Sequence, residues 1–306
     1  MKRKVNLVGQ NTLTVSIPSK WVKSQGLQKG DELNLDIEGR NVIISSDEHK
    51  SHKAIEVSLG NYDKRLTRLC LNNIYRLGYN HITVQYKLER QLRYITDFCR
   101  DKVQGFEITN RGKNYCVIEN IFKVDEEKYD ILYRRVFLLV HEMMEYLHSC
   151  LKTREKIDME IVESCYSKIN QYVNFCLRTL NKEKVEGIFS RSYLLLALLM
   201  IPSTLNRMAK GFLTEDMSKF SPVSIGIYKE IMQCYKKFYE LYFKRDIDEM
   251  NNLNAELEVL IKEKLVELNK NSTKNDLLFT NYLSQVVRFM LMLMSPATMH
   301  LLDESI

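Results

Sequence analysis

The chain has 306 residues, of which 45% are apolar and 27% charged, a composition typical of a folded globular protein and not of a disordered one. No stretch reaches the roughly 18–20 uninterrupted apolar residues needed to span a bilayer, and Met1–Val5 is not followed by the apolar core of a signal peptide. The seven cysteines form no CxxC pair, which favours reduced and mostly buried thiols. We therefore expect a cytoplasmic protein of about two or three domains that does not span a membrane.

The net charge of +6 is concentrated at the start of the chain. Residues 1–30 contain six basic side chains and no Asp or Glu, so the rest of the chain sums to zero, and residues 31–48 are predominantly acidic. A concentrated basic segment attracts polyanions such as nucleic acid. A solvated basic face is the alternative interpretation. The six basic residues are Lys2, Arg3, Lys4, Lys20, Lys23 and Lys29.

Residues 1–46 are predicted to form short strands around one helical turn, because alternating apolar residues are separated by Gly- and Pro-containing turns. A unit of this size buries too little surface to be stable alone, and it has no metal or disulfide pattern, so we expect it to dimerise. The predicted elements are strands Val5–Val8 and Thr12–Ile17, a short helix that begins at Pro18 and ends at Gly26, and strands Leu33–Ile37 and Val42–Ile44.

Residues 52–122 alternate strand and helix patterns and predict a small two-layer α/β domain. We favour the role of a spacer over a ligand-binding role for this domain. The predicted elements are strand Ile55–Leu59, helix Lys64–Leu77, strand His81–Tyr86, helix Arg90–Lys102, and strands Phe106–Thr109 and Tyr115–Ile121.

From residue 125 onward, apolar residues recur every three or four positions, which predicts amphipathic helices around a shared core. Residues 188–212 and 276–302 are apolar on nearly every side, so each is predicted to be the central helix of a bundle. The segment Leu199–Leu205 recurs as Leu293–Met299 at an offset of 94 residues. The sequence therefore predicts a multidomain, mainly α chain, with two tandem three-helix bundles at 123–215 and 216–306 and a proline kink in each repeated helix.

Residues 3–46 resemble the AbrB/MazE/SpoVT swapped-hairpin DNA-binding domains, in the segments Gly9-Gln10, Val15–Pro18, Lys20–Lys23, Gly26-Leu27 and Lys29–Leu33. The resemblance implies a domain at residues 1–47 in which two chains interleave strands and present a basic surface to double-stranded DNA. Gln10 and Val22 stand where many members carry arginine, so bidentate guanidinium contacts are fewer. The residues that the resemblance assigns to DNA binding are Lys2, Arg3, Lys4, Gln10, Asn11, Thr12, Lys20 and Lys23.

Residues 125–302 resemble a PhoU body, and the whole chain resembles archaeal phosphate-uptake regulators. The resemblance implies a role in phosphate homeostasis and a possible phosphate transporter or sensor protein as a partner. PhoU helices carry a glutamate and an aspartate that bind clustered metal ions, but the corresponding positions here are Leu199 and Ser203, then Leu293 and Ala297. Hard cations require oxygen ligands, so we expect no metal site there.

The strongest enzyme candidate is the helical face formed by His141, Glu145 and His148, which lie at i, i+4 and i+7. The zincin motif requires histidine where Glu145 stands, so a polar strip on a bundle helix is the favoured interpretation. We expect no catalytic activity and no cofactor. The leading hypothesis is a DNA-binding transcriptional regulator. A protein-docking adaptor whose head only dimerises is the first alternative, and a metal-dependent enzyme that uses His141 and Glu145 is the second.

Overall fold

The protein is described from a computed structural model, which divides into two compact units, Met1–His52 and Lys53–Ile306. We call the first unit the head. The second unit contains an α/β domain (residues 54–121) and a helical body (residues 128–303). The described residues are 2–9, 11–38, 41–46, 54–121, 128–183, 187–212, 220–270 and 274–303.

The head contains two antiparallel hairpins and one short helix, close to the predicted boundaries. Gly9 (φ 69°) and Gly26 (φ 67°) adopt left-handed backbone conformations, which turn the first hairpin and end the helix. Pro18 is the N-cap residue of this helix and lies just outside its first turn. The elements are β1 (Val5–Val8), β2 (Thr12–Val15), α1 (Ser19–Ser24), β3 (Leu33–Glu38) and β4 (Asn41–Ser46).

The α/β domain is a four-stranded sheet with two helices on one face, as predicted. Its strand order is β5-β6-β8-β7, with β5 and β6 parallel and the other pairs antiparallel. Alternate residues of β6 and β8 are buried against α2 and α3 in a core of their own, because successive strand side chains point to opposite faces. The elements are β5 (Ala54–Ser58), α2 (Lys64–Arg76), β6 (His81–Gln85), α3 (Glu89–Lys102), β7 (Phe106–Arg111) and β8 (Tyr115–Asn120).

The described helices of the body run from α4 to α7 in its first half and from α8 to α11 in its second, but one continuous hydrophobic core runs through both halves. Helix α11 packs along α6 and α7 of the first half as well as α8 and α9 of the second. The division into two separate PhoU-like bundles therefore stays a prediction. The elements are α4 (Tyr129–Thr153), α5 (Met159–Glu183), α6 (Ile188–Leu198), α7 (Met200–Phe212), α8 (Pro222–Lys244), α9 (Ile247–Val259), a π-helical turn (Leu260–Lys264), α10 (Leu265–Lys270) and α11 (Lys274–Asp303).

The two repeated proline segments differ in structure. The first is interrupted at Leu199, between α6 and α7, three residues before Pro202. A proline ring clashes with the carbonyl group four residues earlier, which accounts for a break at this point. The second proline, Pro296, lies inside the unbroken helix α11. The sequence repeat is thus accommodated by two different backbone arrangements.

Two helical stretches, Ile188–Phe212 and Asp276–Leu302, are long and apolar enough to cross a membrane by length and composition. Core helices of soluble proteins meet the same criterion, and both stretches contribute to the core of the body. Neither stretch is enclosed on every side, because 50% of the first apolar window and 39% of the second are buried. Helix α6 and the start of α7 expose an apolar face, the α6 stripe, made of Phe189, Tyr193, Leu196 and Met200.

Candidate nucleic-acid interface

The first hairpin of the head places most of the predicted DNA-binding residues at one of its ends. Val5 pairs with Val15, so Lys2–Lys4, which precede β1, and residues 16–18, which lead into α1, adjoin the same end of the hairpin. Helix α1 then carries Lys20 and Lys23. We call these five cationic residues, which either precede β1 or lie on the helix that follows β2, the hairpin base.

Asn11 and Thr12 lie at the opposite end of the same hairpin, at the turn where Val8 pairs with Thr12. A four-residue strand spans about 13 Å, so within one head the structure separates these two residues from the hairpin base. Gln10, the third residue predicted at this turn, lies outside the described residues. The predicted set is therefore divided into a cationic base and an uncharged polar tip.

The cationic side chains of the base are open to solvent. Lys2, Arg3, Lys4, Lys20 and Lys23 are all exposed, and none forms an ion pair with the residues that the structure describes. Lysine and arginine without a protein counter-ion interact favourably with phosphate groups. This end of the hairpin is therefore chemically suited to a polyanion.

A further exposed cation of the head, Lys29, was not among the predicted contacts. It lies next to a turn that Asp31 closes, where the Asp31 carboxylate Oδ2 accepts a hydrogen bond of 2.6 Å from the backbone N–H of Gln28. Lys29 belongs to the basic segment and to the Lys29–Leu33 part of the family resemblance, but the resemblance does not assign it to DNA binding. The nearby carboxylate of Asp31 makes this end of α1 less favourable for an anion than the hairpin base.

The strands of the head expose apolar side chains that a stable protein normally buries. Leu7 is 65% exposed and its cross-strand neighbour Leu13 is 68% exposed, while Ile37 in the second hairpin is 80% exposed. Each head residue whose burial is described is exposed or only partly buried, including Trp21. Because exposed apolar strands favour association, the head is suited to pair with another chain through its hairpins.

The helical face predicted as a metal-site candidate packs against tyrosines of α8. The His141 ring lies 6.3 Å from that of Tyr235, and the His148 ring lies 6.0 Å from that of Tyr228. His141 Nδ1 is 3.5 Å from the Glu145 carboxylate. Burial, together with nearby lysines, lowers the pKa of His148. Among the residues described, no group of three or more His, Cys, Asp or Glu side chains is arranged to hold a metal ion.

The geometry defines a class of module: two short hairpins and one helical turn, with a cationic end and exposed apolar strands. Residues 8–51 match the family model described as antidote-toxin recognition MazE, bacterial antitoxin. This match confirms the resemblance of the head to AbrB/MazE-type domains, and it lies within the first compact unit. No curated protein and no solved structure matches the chain. The PhoU-like body therefore has no support from these comparisons.

Proposed function

We propose that the chain is a cytoplasmic, non-enzymatic transcriptional regulator that binds double-stranded DNA as a homodimer through its head. The observation that carries this proposal is the set of five exposed cations of the hairpin base, none of which has an ion-pair partner among the described residues. The match to the MazE family model supports it, because domains of this type typically bind DNA as dimers. The exposed apolar strands supply the surface for dimerisation.

DNA binding is tested by a salt titration of binding to duplex fragments selected from genomic DNA. Each phosphate contact contributes a slope of about 0.9 in a plot of log affinity against log salt. The double variant Lys20→Ala/Lys23→Ala should lower the slope by about two units per head. The matched control is Lys229→Ala/Lys236→Ala, which removes two exposed lysines of α8 and should leave the slope unchanged. The absence of salt-dependent binding to any duplex would refute the proposal.

The polar tip is expected to act differently from the base. Asn11 and Thr12 carry no charge, so their contacts release no counter-ions, but they can hydrogen-bond to base edges or phosphates. The variant Asn11→Ala/Thr12→Ala should alter the ranking of selected duplex sequences and leave the salt slope of the wild type intact. A uniform loss of affinity across the duplexes, without a change in ranking, would assign the tip to phosphate contacts instead.

Dimerisation through the head is tested by light scattering after size-exclusion chromatography. Leu7 and Leu13 face each other across the first hairpin, and burial of each contributes roughly 1–2 kcal/mol. Leu7→Asp combined with Leu13→Asp should convert the dimer to a monomer whose far-UV helical signal is retained. The control Asn6→Asp adds a charge to an already polar, exposed position of the same strand. A monomeric wild-type protein would contradict the proposal.

The regulated process that we propose is phosphate uptake, on the resemblance of the body to PhoU proteins. The test is a comparison of transcripts in phosphate-replete and phosphate-limited cells with and without the gene. Loss of the gene should change the transcripts of phosphate-uptake genes more than other transcripts. If the selected DNA fragments map to unrelated genes, the proposed role in phosphate uptake is rejected, while the proposal that the chain binds DNA still stands.

A second candidate function, protein docking through the body, is favoured by the α6 stripe. Its four side chains recur at helical spacing, and Phe189 is 69% exposed. Exposed apolar helix faces of this kind mark interaction sites. The variant Phe189→Asp/Leu196→Asp should abolish co-purification of a protein partner without affecting DNA binding. If co-purification is lost in Leu7→Asp/Leu13→Asp instead, the partner binds the hairpins of the head and not the α6 stripe.

A further inference from the structure

A polar cavity of about 810 Å³ lies where the α/β domain meets the helical body, within the second compact unit. It is lined by α2 and α3 on one side and by α5 and α7 on the other. A volume in this range accommodates a small organic molecule. The charged side chains that line it are Lys64, Arg68, Asp97, Asp101, Lys102, Glu163, Lys168 and Lys210.

The acidic side chains of this cavity already have cationic partners. Asp97 lies 3.0 Å from the guanidinium of Arg100 and 3.6 Å from the Lys64 amine. Asp101 also pairs with Arg100, at 2.8 Å. Glu163 pairs with Lys210 at 2.8 Å. The positive charges of Arg68, Lys102 and Lys168 remain without an ion-pair partner among the described residues.

Lys102, at the end of α3, is the most unusual of these cations because it is only 9% exposed. Its amine makes no hydrogen bond or ion pair with any residue that the structure describes, and lies 5.4 Å from the centre of the Tyr166 ring. Burial and the nearby charge of Arg68 lower the pKa of Lys102 to about 8, against the opposing effect of Asp101. A buried ammonium group is costly unless an anion accompanies it.

A second feature of the same cavity indicates a ligand. The side-chain oxygen Oδ1 of Asn206, on α7, is buried and has no hydrogen-bond partner. Buried acceptors without a donor are rare in folded proteins. Among the described residues, the cavity thus combines cations that lack an ion-pair partner with an acceptor that lacks a donor.

We propose that this cavity binds a small phosphorylated molecule, with its phosphoryl group on Lys102 and Arg68 and a hydroxyl group donating to Asn206 Oδ1, which a rotation of the amide would bring to the cavity surface. Two adjacent cations favour a phosphoryl group, whose charge near neutral pH is about −1.5 to −2, over a carboxylate with a single charge. Because the cavity is walled by both the α/β domain and the body, the ligand would stabilise their contact. The assignment is independent of DNA binding by the head.

The test is isothermal titration calorimetry of the full-length protein with ribose 5-phosphate, inorganic phosphate, ribose and acetate as probes. Ribose 5-phosphate should bind more tightly than inorganic phosphate, and ribose and acetate should give no measurable heat. Lys102→Met and Arg68→Gln should each weaken binding about tenfold or more, since each removes a charge-assisted hydrogen bond. Asn206→Ala should weaken ribose 5-phosphate about threefold and leave inorganic phosphate unchanged.

Two further variants make the result decisive. Lys102→Arg keeps the charge and should retain binding, which separates the loss of the cation from a disturbance of folding. Lys236→Met removes an exposed lysine of α8 outside the cavity and should bind as the wild type does. The proposal fails if neither phosphoryl probe binds in the millimolar range, if acetate binds equally well, or if Lys102→Met and Arg68→Gln bind unchanged.

Discussion

Arg178 is one of the α5 side chains that join the helical body to the α/β domain, together with Asn174 and Asn181, and its replacement by methionine should be strongly destabilising. It is 5% exposed, and its Nη1 donates to the backbone carbonyls of Tyr75 at 2.7 Å and Tyr79 at 2.8 Å. Its Nη2 donates to the side chain of Asn80, and the guanidinium carbon lies 4.9 Å from the ring centres of both Tyr75 and Phe106.

The expected magnitude follows from the groups that lose a partner. Each buried acceptor left without a donor costs about 1–3 kcal/mol, and a desolvated cation–π contact contributes about 0.5–2 kcal/mol. The removal of a buried arginine also relieves its own desolvation, which offsets part of this cost. We therefore expect Arg178→Met to lower the free energy of unfolding by about 4 kcal/mol. For a unit of this size, that corresponds to a fall in Tm of roughly 8–16 °C.

The measurement is differential scanning calorimetry of the full-length chain at neutral pH. Arg178→Lys should give an intermediate Tm, because an ammonium group keeps the charge but cannot reach all three acceptors of the guanidinium fork. The control Arg93→Met changes an exposed arginine of α3 and should leave Tm close to that of the wild type. A fall of less than about 2 °C in Arg178→Met would refute the argument that this contact holds the two parts together.

Three further outcomes are expected. Burial in the folded state lowers the pKa of Lys102 from 10.5 to about 8, so the unfolded chain binds more protons than the folded chain between these pH values. The free energy of unfolding, measured by urea titration, should therefore rise with pH across that window. Urea titrations of Lys102→Met should lack this rise. Burial raises the pKa of Cys116 and of Cys234 to about 11, so neither thiol should react with iodoacetamide in the native protein near neutral pH. Mass spectrometry should find both thiols modified in urea. Rapid labelling of the native protein would contradict their burial. Tyr235→Phe removes the hydrogen bond of 3.1 Å from the buried hydroxyl to the Phe137 carbonyl. It should lower the free energy of unfolding in urea by about 1 kcal/mol. An unchanged urea midpoint would show that this bond makes no net contribution to stability.

The secondary structure of the chain was largely predictable from local patterns. The strand predicted at Val5–Val8 occupies those residues, and the helix predicted at Lys64–Leu77 ends one residue earlier, at Arg76. Glycine in a left-handed conformation, such as Gly26 or Gly78, marks the ends of the elements. These features depend on the preferences of a few neighbouring residues, so the sequence alone is sufficient to locate them.

The chemical character of the head was also visible in the sequence. Its cationic residues are concentrated in one short segment, and its motif matches a known family model. The division of the predicted contacts into a hairpin base and a polar tip required the strand register, because Lys4 and Asn11 are close in sequence but lie at opposite ends of β1. The register depends on which backbone groups pair across the hairpin, and composition does not specify this.

The tertiary structure alone determined the cavity between the α/β domain and the helical body, on which the proposed phosphoryl site depends. Arg68 and Lys102 belong to two helices of the α/β domain and Asn206 to a helix of the body much later in the sequence, and no motif connects them. Arg178 lies on an amphipathic helix, whose period predicts a buried face but not the carbonyl groups that meet it. Helical and strand periodicity are properties of a few consecutive residues, whereas a cavity and its unpaired charges arise only when distant segments pack together.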